Sequence, residues 1–238
     1  MYGNGYQSWL FWLGVWIVRI IQFNADREYK KAILLAGDAR KQAKEELDQL
    51  FGYACTATAL EYSKEAKPFY FDLGTDGTGY DAIIRPGGGC RNQFNEDSLK
   101  LELCEDGRKR HAIQTRMKGM DVFAFGITTA PKSIKKLTAN YEMDYTSFDY
   151  VILHQANYKM TETIRKKLKL DAEKMPYSML HFGNTSSASI PLTIVTQLKG
   201  KIEDKPTKII GCAFGVGLSW GTVAFETEHL LISELVEV

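Results

Sequence analysis

The chain has 238 residues, 45% of them hydrophobic and 25% charged, which is enough to bury the core of one large domain or two small ones and excludes a disordered chain. Lys and Arg total 30 against 29 acidic residues, so the overall charge gives no reason to expect a polyanion such as nucleic acid as partner, and electrostatic recognition has to be local. The four cysteines, Cys55, Cys90, Cys104 and Cys212, show no CxxC spacing and are too sparse for a disulfide-stapled scaffold, which fits a reducing compartment and speaks against zinc.

Three of the four tryptophans fall in the first apolar run, Ser8–Ile21. That run is shorter than the roughly 20 residues of a spanning helix and carries Arg19, and Met1–Gln7 lacks the basic start of a secretory signal. A buried amphipathic helix, with no membrane association, is the expectation there. Tyr29–Asp38 (YKKAILLAGD) reads as a strand buried on both faces, and Ala39–Leu50 is charged and helix-compatible. Thr56–Tyr62 and Pro68–Leu73 read as two strands separated by a polar turn. Residues 74–89 (GTDGTGYDAIIRPGGG) hold six glycines and one proline, a composition for turns and no helix. This stretch lacks the spacing of a phosphate-binding loop, which leaves a surface or interface loop. Charges crowd Asn92–His111 and mark a boundary between an N-terminal part, 1–115, and a C-terminal half, 116–238.

The second half alternates. A helix is expected around Asp121–Thr128 and another after Pro131, with the proline in its first turn. A strand at Tyr150–Leu153 and a helix at Ala156–Leu168 follow. Strands at Lys208–Cys212 and Thr222–Glu226 then flank a glycine turn, Gly215–Gly221. This is an α/β pattern in which helices cover a sheet.

Three clusters carry chemistry. In DYVILHQANYK (149–159), His154 ends an apolar strand, where open α/β sheets bind their ligands. In HFGNTSSASIP (181–191), Asn184 can present a rigid amide donor among small residues, or instead form an Asx turn opening the helix near Ser187. In AFGVGLSWG (213–221), backbone N–H groups of the turn can form half of an oxyanion hole, or the turn is simply a hairpin.

In this order and near these spacings, HQAN, GNTSSAS and FGVGLSWG resemble the ketoacyl-acyl-carrier-protein synthase III branch of the thiolase-like condensing enzymes. AILLAGD (32–38), LFGYACTATALE (50–61), PGGGCR (86–91) and VFAF (122–125) extend the resemblance. It implies a thiolase-like layered α-β-α fold, with an incomplete N-terminal half and a complete C-terminal half. It also implies decarboxylative condensation of malonyl-acyl carrier protein with an acyl thioester, in cytoplasmic fatty acid biosynthesis. His154 and Asn184 would donate to the malonyl thioester oxygen, and the Val216 N–H would be an oxyanion donor. Lys159, Arg165 and Lys166 would dock the acidic acyl carrier protein on a helix whose Met160, Ile164 and Leu168 face inward, the alternative being a merely solvated helix face. No cofactor or metal is implied beyond acyl-CoA and malonyl-acyl carrier protein as substrates, and a homodimer, or a heterodimer with a related synthase, is expected.

The match breaks at the nucleophile. The family places a cysteine in a C-S-G-like motif opening a long buried helix, here Trp9–Ile21, and the nearest alignment sets Tyr6 at that position. Tyrosine, with a pKa near 10, is a poor acyl acceptor. Cys55 stands where the family usually has glycine and is expected to be a small buried, inert residue. The strands and helices that precede the catalytic helix in the family are missing, and the resemblance sets in abruptly at Tyr29, as a shifted upstream reading frame would produce. Little synthase turnover is expected, or a non-catalytic subunit or degenerate fragment.

Overall fold

A computed structural model describes residues 30–38 and 50–237 of the chain. The expectations placed on Tyr6, on the Trp9–Ile21 helix and on residues 39–49 lie outside the described residues.

Strand β1 (Lys31–Gly37) pairs antiparallel with β2 (Cys55–Glu61), from Lys31 opposite Glu61 to Gly37 opposite Cys55. Burial on both faces is not what β1 shows: Leu34 and Ala36 are buried, whereas Ile33 and Leu35 are 68% and 74% exposed. Successive side chains of a strand point to opposite faces, and only one face of this ribbon is covered. β3 (Tyr70–Thr75) begins two residues after Pro68, which has no N–H to give a ladder, and pairs with a late strand instead of β2. The glycine-rich stretch is turns with one short 3-10 turn at Gly77–Gly79. The two-residue strands β4 (Ile83–Ile84, within that stretch), β5 (Glu102–Leu103), β6 (Lys109–Arg110) and β7 (Arg116–Met117) pair as β4 with β7 and β5 with β6.

The two helices expected on either side of Pro131 are one, α1 (Gly119–Asn140), with Pro131 buried inside it. A proline in a helix interior frees the carbonyl four residues earlier, here that of Ile127. Lys167 Nζ donates to this oxygen at 3.0 Å, so a tertiary contact supplies the bond that the proline withholds. The rest of the half follows the expected order with shifted ends: β8 (Tyr150–Leu153), α2 (Tyr158–Leu168), the short α3 (Met179–Phe182) and α4 (Ser189–Thr193), β9 (Thr207–Gly215) and β10 (Ser219–Thr227). Helix α2 starts two residues later than expected because Asn157, in extended conformation, caps it: its Oδ1 accepts from Met160 N at 2.9 Å.

The four-stranded sheet runs β3-β10-β9-β8, with β8 parallel to β9 and the other pairs antiparallel. Side-chain alternation divides the apolar residues between two cores. Val151, Leu153, Ile210, Cys212 and Phe214 meet Ala130, Ile134 and Leu137 of α1 and Met160, Ile164 and Leu168 of α2 on one face. Ile152 and Ile209 meet Leu198, Ile202 and Ile190 on the other. Helices on both faces explain why β8 and β9 are nearly continuous apolar runs. Helix α1 comes close at Gly126, where a Cβ would lie 2.7 Å from Met160 Sδ and 2.8 Å from the Phe214 ring. Asp72 of β3 ties the same helix to the sheet, accepting from Lys136 Nζ at 2.6 Å, Ser133 Oγ at 2.7 Å and Trp220 Nε1 at 3.2 Å. Among the described residues no helix is long and apolar enough to cross a membrane.

Candidate active site

His154 is the first residue beyond β8, and its N–H donates to Cys212 O at 2.8 Å, carrying the parallel ladder one step past the strand end. The side chain is 3% exposed and stands edge-on to Phe214, with ring centroids 5.8 Å apart. Burial, with no compensating carboxylate, pushes its pKa down to about 3, so the imidazole is neutral at physiological pH. Nδ1 lies 2.9 Å from Ser189 Oγ, and among the described residues nothing bonds Nε2.

Asn184 is held by close backbone packing. Its N–H donates to Leu50 O at 2.9 Å and its carbonyl accepts from Gly52 N at 3.0 Å, forming a parallel bridge to Phe51. Glycine is required at Gly52, where a Cβ would fall 1.7 Å from Phe182 O, and at Gly183, whose φ is +62°. The Asn184 side chain forms the Asx turn, with Oδ1 accepting from Ser186 N at 2.9 Å. This turn does not compete with a donor role: it occupies the oxygen and leaves the Nδ2 hydrogens without an acceptor among the described residues. Thr185 Oγ1 and Ser187 Oγ, beside it, are buried without partners.

Val216 is half-buried in the turn between β9 and β10. That turn is strapped to the end of β3 by reciprocal Asp76–Leu218 backbone bonds of 2.7 and 2.8 Å and by a Thr75–Ser219 hydroxyl contact of 2.9 Å. The three sequence clusters therefore meet at the imidazole: Ser189 from the Asn184 segment contacts its Nδ1, and Phe214 from the Val216 strand packs on its ring.

Residues 138–227 match the family model for the C-terminal part of 3-oxoacyl-[acyl-carrier-protein] synthase III. A beta-ketoacyl-[acyl-carrier-protein] synthase III of Clostridium acetobutylicum is 30% identical over 209 residues, 86% of this chain and 61% of that protein. The chain is similar to the ketoacyl-acyl-carrier-protein synthase III family over most of its length. A 3-oxoacyl-(acyl-carrier protein) synthase crystal structure from Burkholderia xenovorans superimposes with a TM-score of 0.78 at 30% identity, over 94% of this chain and 63% of that one. A crystal structure of a 3-oxoacyl-(acyl-carrier-protein) synthase III gives 0.82 at 26% identity, over 92% and 66%. The fold is the thiolase-like one of this family, and the chain spans 61% of the length of its Clostridium relative.

Helix α2 presents Lys159 and Lys166 to solvent, with Lys159 Nζ 6.0 Å from the Phe123 ring centroid. Arg165 does not stay outside with them. It is half-buried, pairs with Glu162 at 2.8 and 2.9 Å and donates to Leu170 O at 2.7 Å, because it folds back over the helix end. Bonds from Arg165 and Tyr177 hold the Glu162 carboxyl at about 2. Cys55 also departs from expectation: it is exposed, at the last pair of the β1–β2 ribbon, opposite Gly37. The buried cysteine is Cys212, whose thiol burial pushes up to about 12, against a Thr222 hydroxyl that donates to its sulfur at 3.2 Å. Among the described residues no group of His, Cys, Asp or Glu is placed to hold a metal. A cavity of about 420 Å³, lined by Lys67, Tyr70, Phe148, Lys208 and Phe225, lies at the opposite end of the strands from His154.

Sequence reasoning missed Gln155. It is fully buried; its Nε2 donates to Leu153 O at 2.7 Å and its Oε1 accepts from Ser178 N at 3.2 Å and Met179 N at 3.4 Å. The signal was present: a glutamine directly after an apolar strand and its terminal histidine is costly to bury unless its amide is bonded on both sides.

Proposed function

We propose that this chain carries the decarboxylating part of a ketoacyl-acyl-carrier-protein synthase III site and acts on malonyl thioesters of acyl carrier protein. When the malonyl carboxylate leaves as carbon dioxide, the electron pair of the breaking carbon–carbon bond moves into the thioester, and negative charge gathers on its oxygen. A neutral imidazole N–H and a carboxamide N–H aimed at that oxygen stabilise the enolate, and the buried, uncharged His154 beside the Asn184 segment carries this reading. In the full condensation the enolate attacks an acyl group received from acyl-CoA, with the Val216 N–H as a donor to the tetrahedral oxygen. Lys159 and Lys166, with a smaller share from the paired Arg165, offer the acidic carrier protein a cationic face. With Tyr6 at the nucleophile position, we propose that the acyl-transfer half-reaction is impaired. A cytoplasmic location and pairing with a second copy or an active relative complete the proposal.

The test is conversion of malonyl- to acetyl-carrier protein, followed by intact mass. Removal of one oxyanion donor costs about 10²–10³ in rate, so His154→Ala should lose at least about a hundredfold. Equal rates in variant and parent would remove the assignment. The Tyr6 position favours a second reading, a non-catalytic subunit. Co-elution with a related synthase, coupled with no decarboxylation by the chain alone, would select it.

A further inference from the structure

We infer that Ser189 is a positioning residue that fixes which ring nitrogen of His154 carries the proton, and that Gln155, Ser178 and Thr193 hold Ser189 for that task. The direction of each bond follows from proton counting. Thr193 Oγ1 has one proton and gives it to Ser189 O at 2.7 Å, so in its 2.7 Å contact with Ser178 Oγ it must be the acceptor. Ser178 donates there, and its backbone N–H donates to Gln155 Oε1, whose amide donates in turn to Leu153 O. The path begins next to His154 in the chain and returns to its ring through Ser189. Gln155, Ser178, Thr193 and Ser189 are all fully buried, so water does not complete their bonding.

Among the described residues, the Ser189 hydroxyl has one partner, His154 Nδ1. If Nδ1 carried the ring proton, that nitrogen would donate to Oγ and the buried serine proton would have no acceptor. If Ser189 donates to a bare Nδ1, both groups are satisfied, and the ring proton sits on Nε2, free to donate outward. The same arrangement ties the histidine to the segment bearing Asn184, since Ser178 and Ser189 bracket that residue in the chain. The inference rests on the reading of His154 as a thioester-oxygen donor, which needs that tautomer.

The test is long-range ¹H–¹⁵N correlation NMR of the full ¹⁵N-labelled chain, which reports the protonation of each ring nitrogen, with His154 assigned by comparison with His154→Gln. The parent should show a single Nε2–H tautomer. Ser189→Ala should give a mixture, with kcat for malonyl decarboxylation at least about tenfold lower and KM unchanged. Ser189→Cys, a weaker donor of similar size, should fall between and covers the case in which the alanine variant does not fold. An Nδ1–H tautomer in the parent, or an unchanged tautomer in the variants, overturns the inference whatever the activity. The expected tautomer behaviour in a parent without decarboxylation would leave it standing and overturn the proposed function alone.

Discussion

Gln155→Met tests whether buried polar bonds, and not packing alone, hold the site together. The two side chains are similar in volume and flexibility, so neither a cavity nor overpacking is introduced. What is lost are the partners of three polar groups: Leu153 O, Ser178 N and Met179 N, bonded at 2.7, 3.2 and 3.4 Å to a side chain with no exposed surface. A buried group left unsatisfied costs about 1–3 kcal/mol. The 3.4 Å bond is weak, and methionine spares the desolvation of an amide, so the net loss should be about 2–4 kcal/mol. Urea unfolding followed by far-ultraviolet circular dichroism measures it, with an unchanged denaturant slope confirming that the same transition is compared. A loss below about 1 kcal/mol would refute the claim that this amide is indispensable to the bracket.

Three more outcomes are expected. Lys167→Met should cost about 0.5–1 kcal/mol by removing a solvent-exposed hydrogen bond to Ile127 O, and nearly nothing in a Pro131→Ala background, where the helix regains its own donor; a double-mutant cycle without coupling would contradict this. His154 has a folded pKa of about 3 against an ordinary 6.5, so its neutral form stabilises the fold fully above about pH 6.5. That contribution should fall by about 1.4 kcal/mol per pH unit toward pH 3, because the unfolded chain binds the extra proton. His154→Gln should remove this slope from the pH dependence of urea midpoints, and per folded molecule the parent's decarboxylation should show no imidazole titration near pH 6.5. Gly52→Ala would place a Cβ 1.7 Å from Phe182 O and should cost more than about 3 kcal/mol with loss of the Asn184 bridge, read by thermal melting and by amide exchange at Asn184.

The sheet was legible where local pattern and burial agree. Tyr150–Leu153 is a strand with the ends read from its apolar run, and β9 and β10 extend the expected pair by three residues toward the turn and one at the far end. Helix ends were legible to within a cap, as at Asn157. Pro131 was misread because a helix-breaking residue is judged by its own backbone, whereas the donor that compensates it belongs to Lys167, 40 positions along the chain from the Ile127 carbonyl it serves. Ile33 and Leu35 were misread for the related reason that an apolar strand signals what it could bury, not whether a neighbour is there to cover it.

The same distinction runs through the site. His154, Asn184 and Val216 stand out in the sequence because each ends or turns an element, where side chains and N–H groups become available to a ligand. The residues that align them could not, because Gln155, Ser178, Ser189 and Thr193 look in sequence like ordinary small or amide side chains, and their role is defined only by one another. A buried neutral imidazole takes its tautomer from the groups it can bond, and Ser189 Oγ is the partner that its Nδ1 meets. That hydroxyl must in turn be oriented by a helix whose start is fixed from elsewhere. Replacing the visible residues tests the chemistry, whereas replacing the hidden ones tests whether the fold was built to support it.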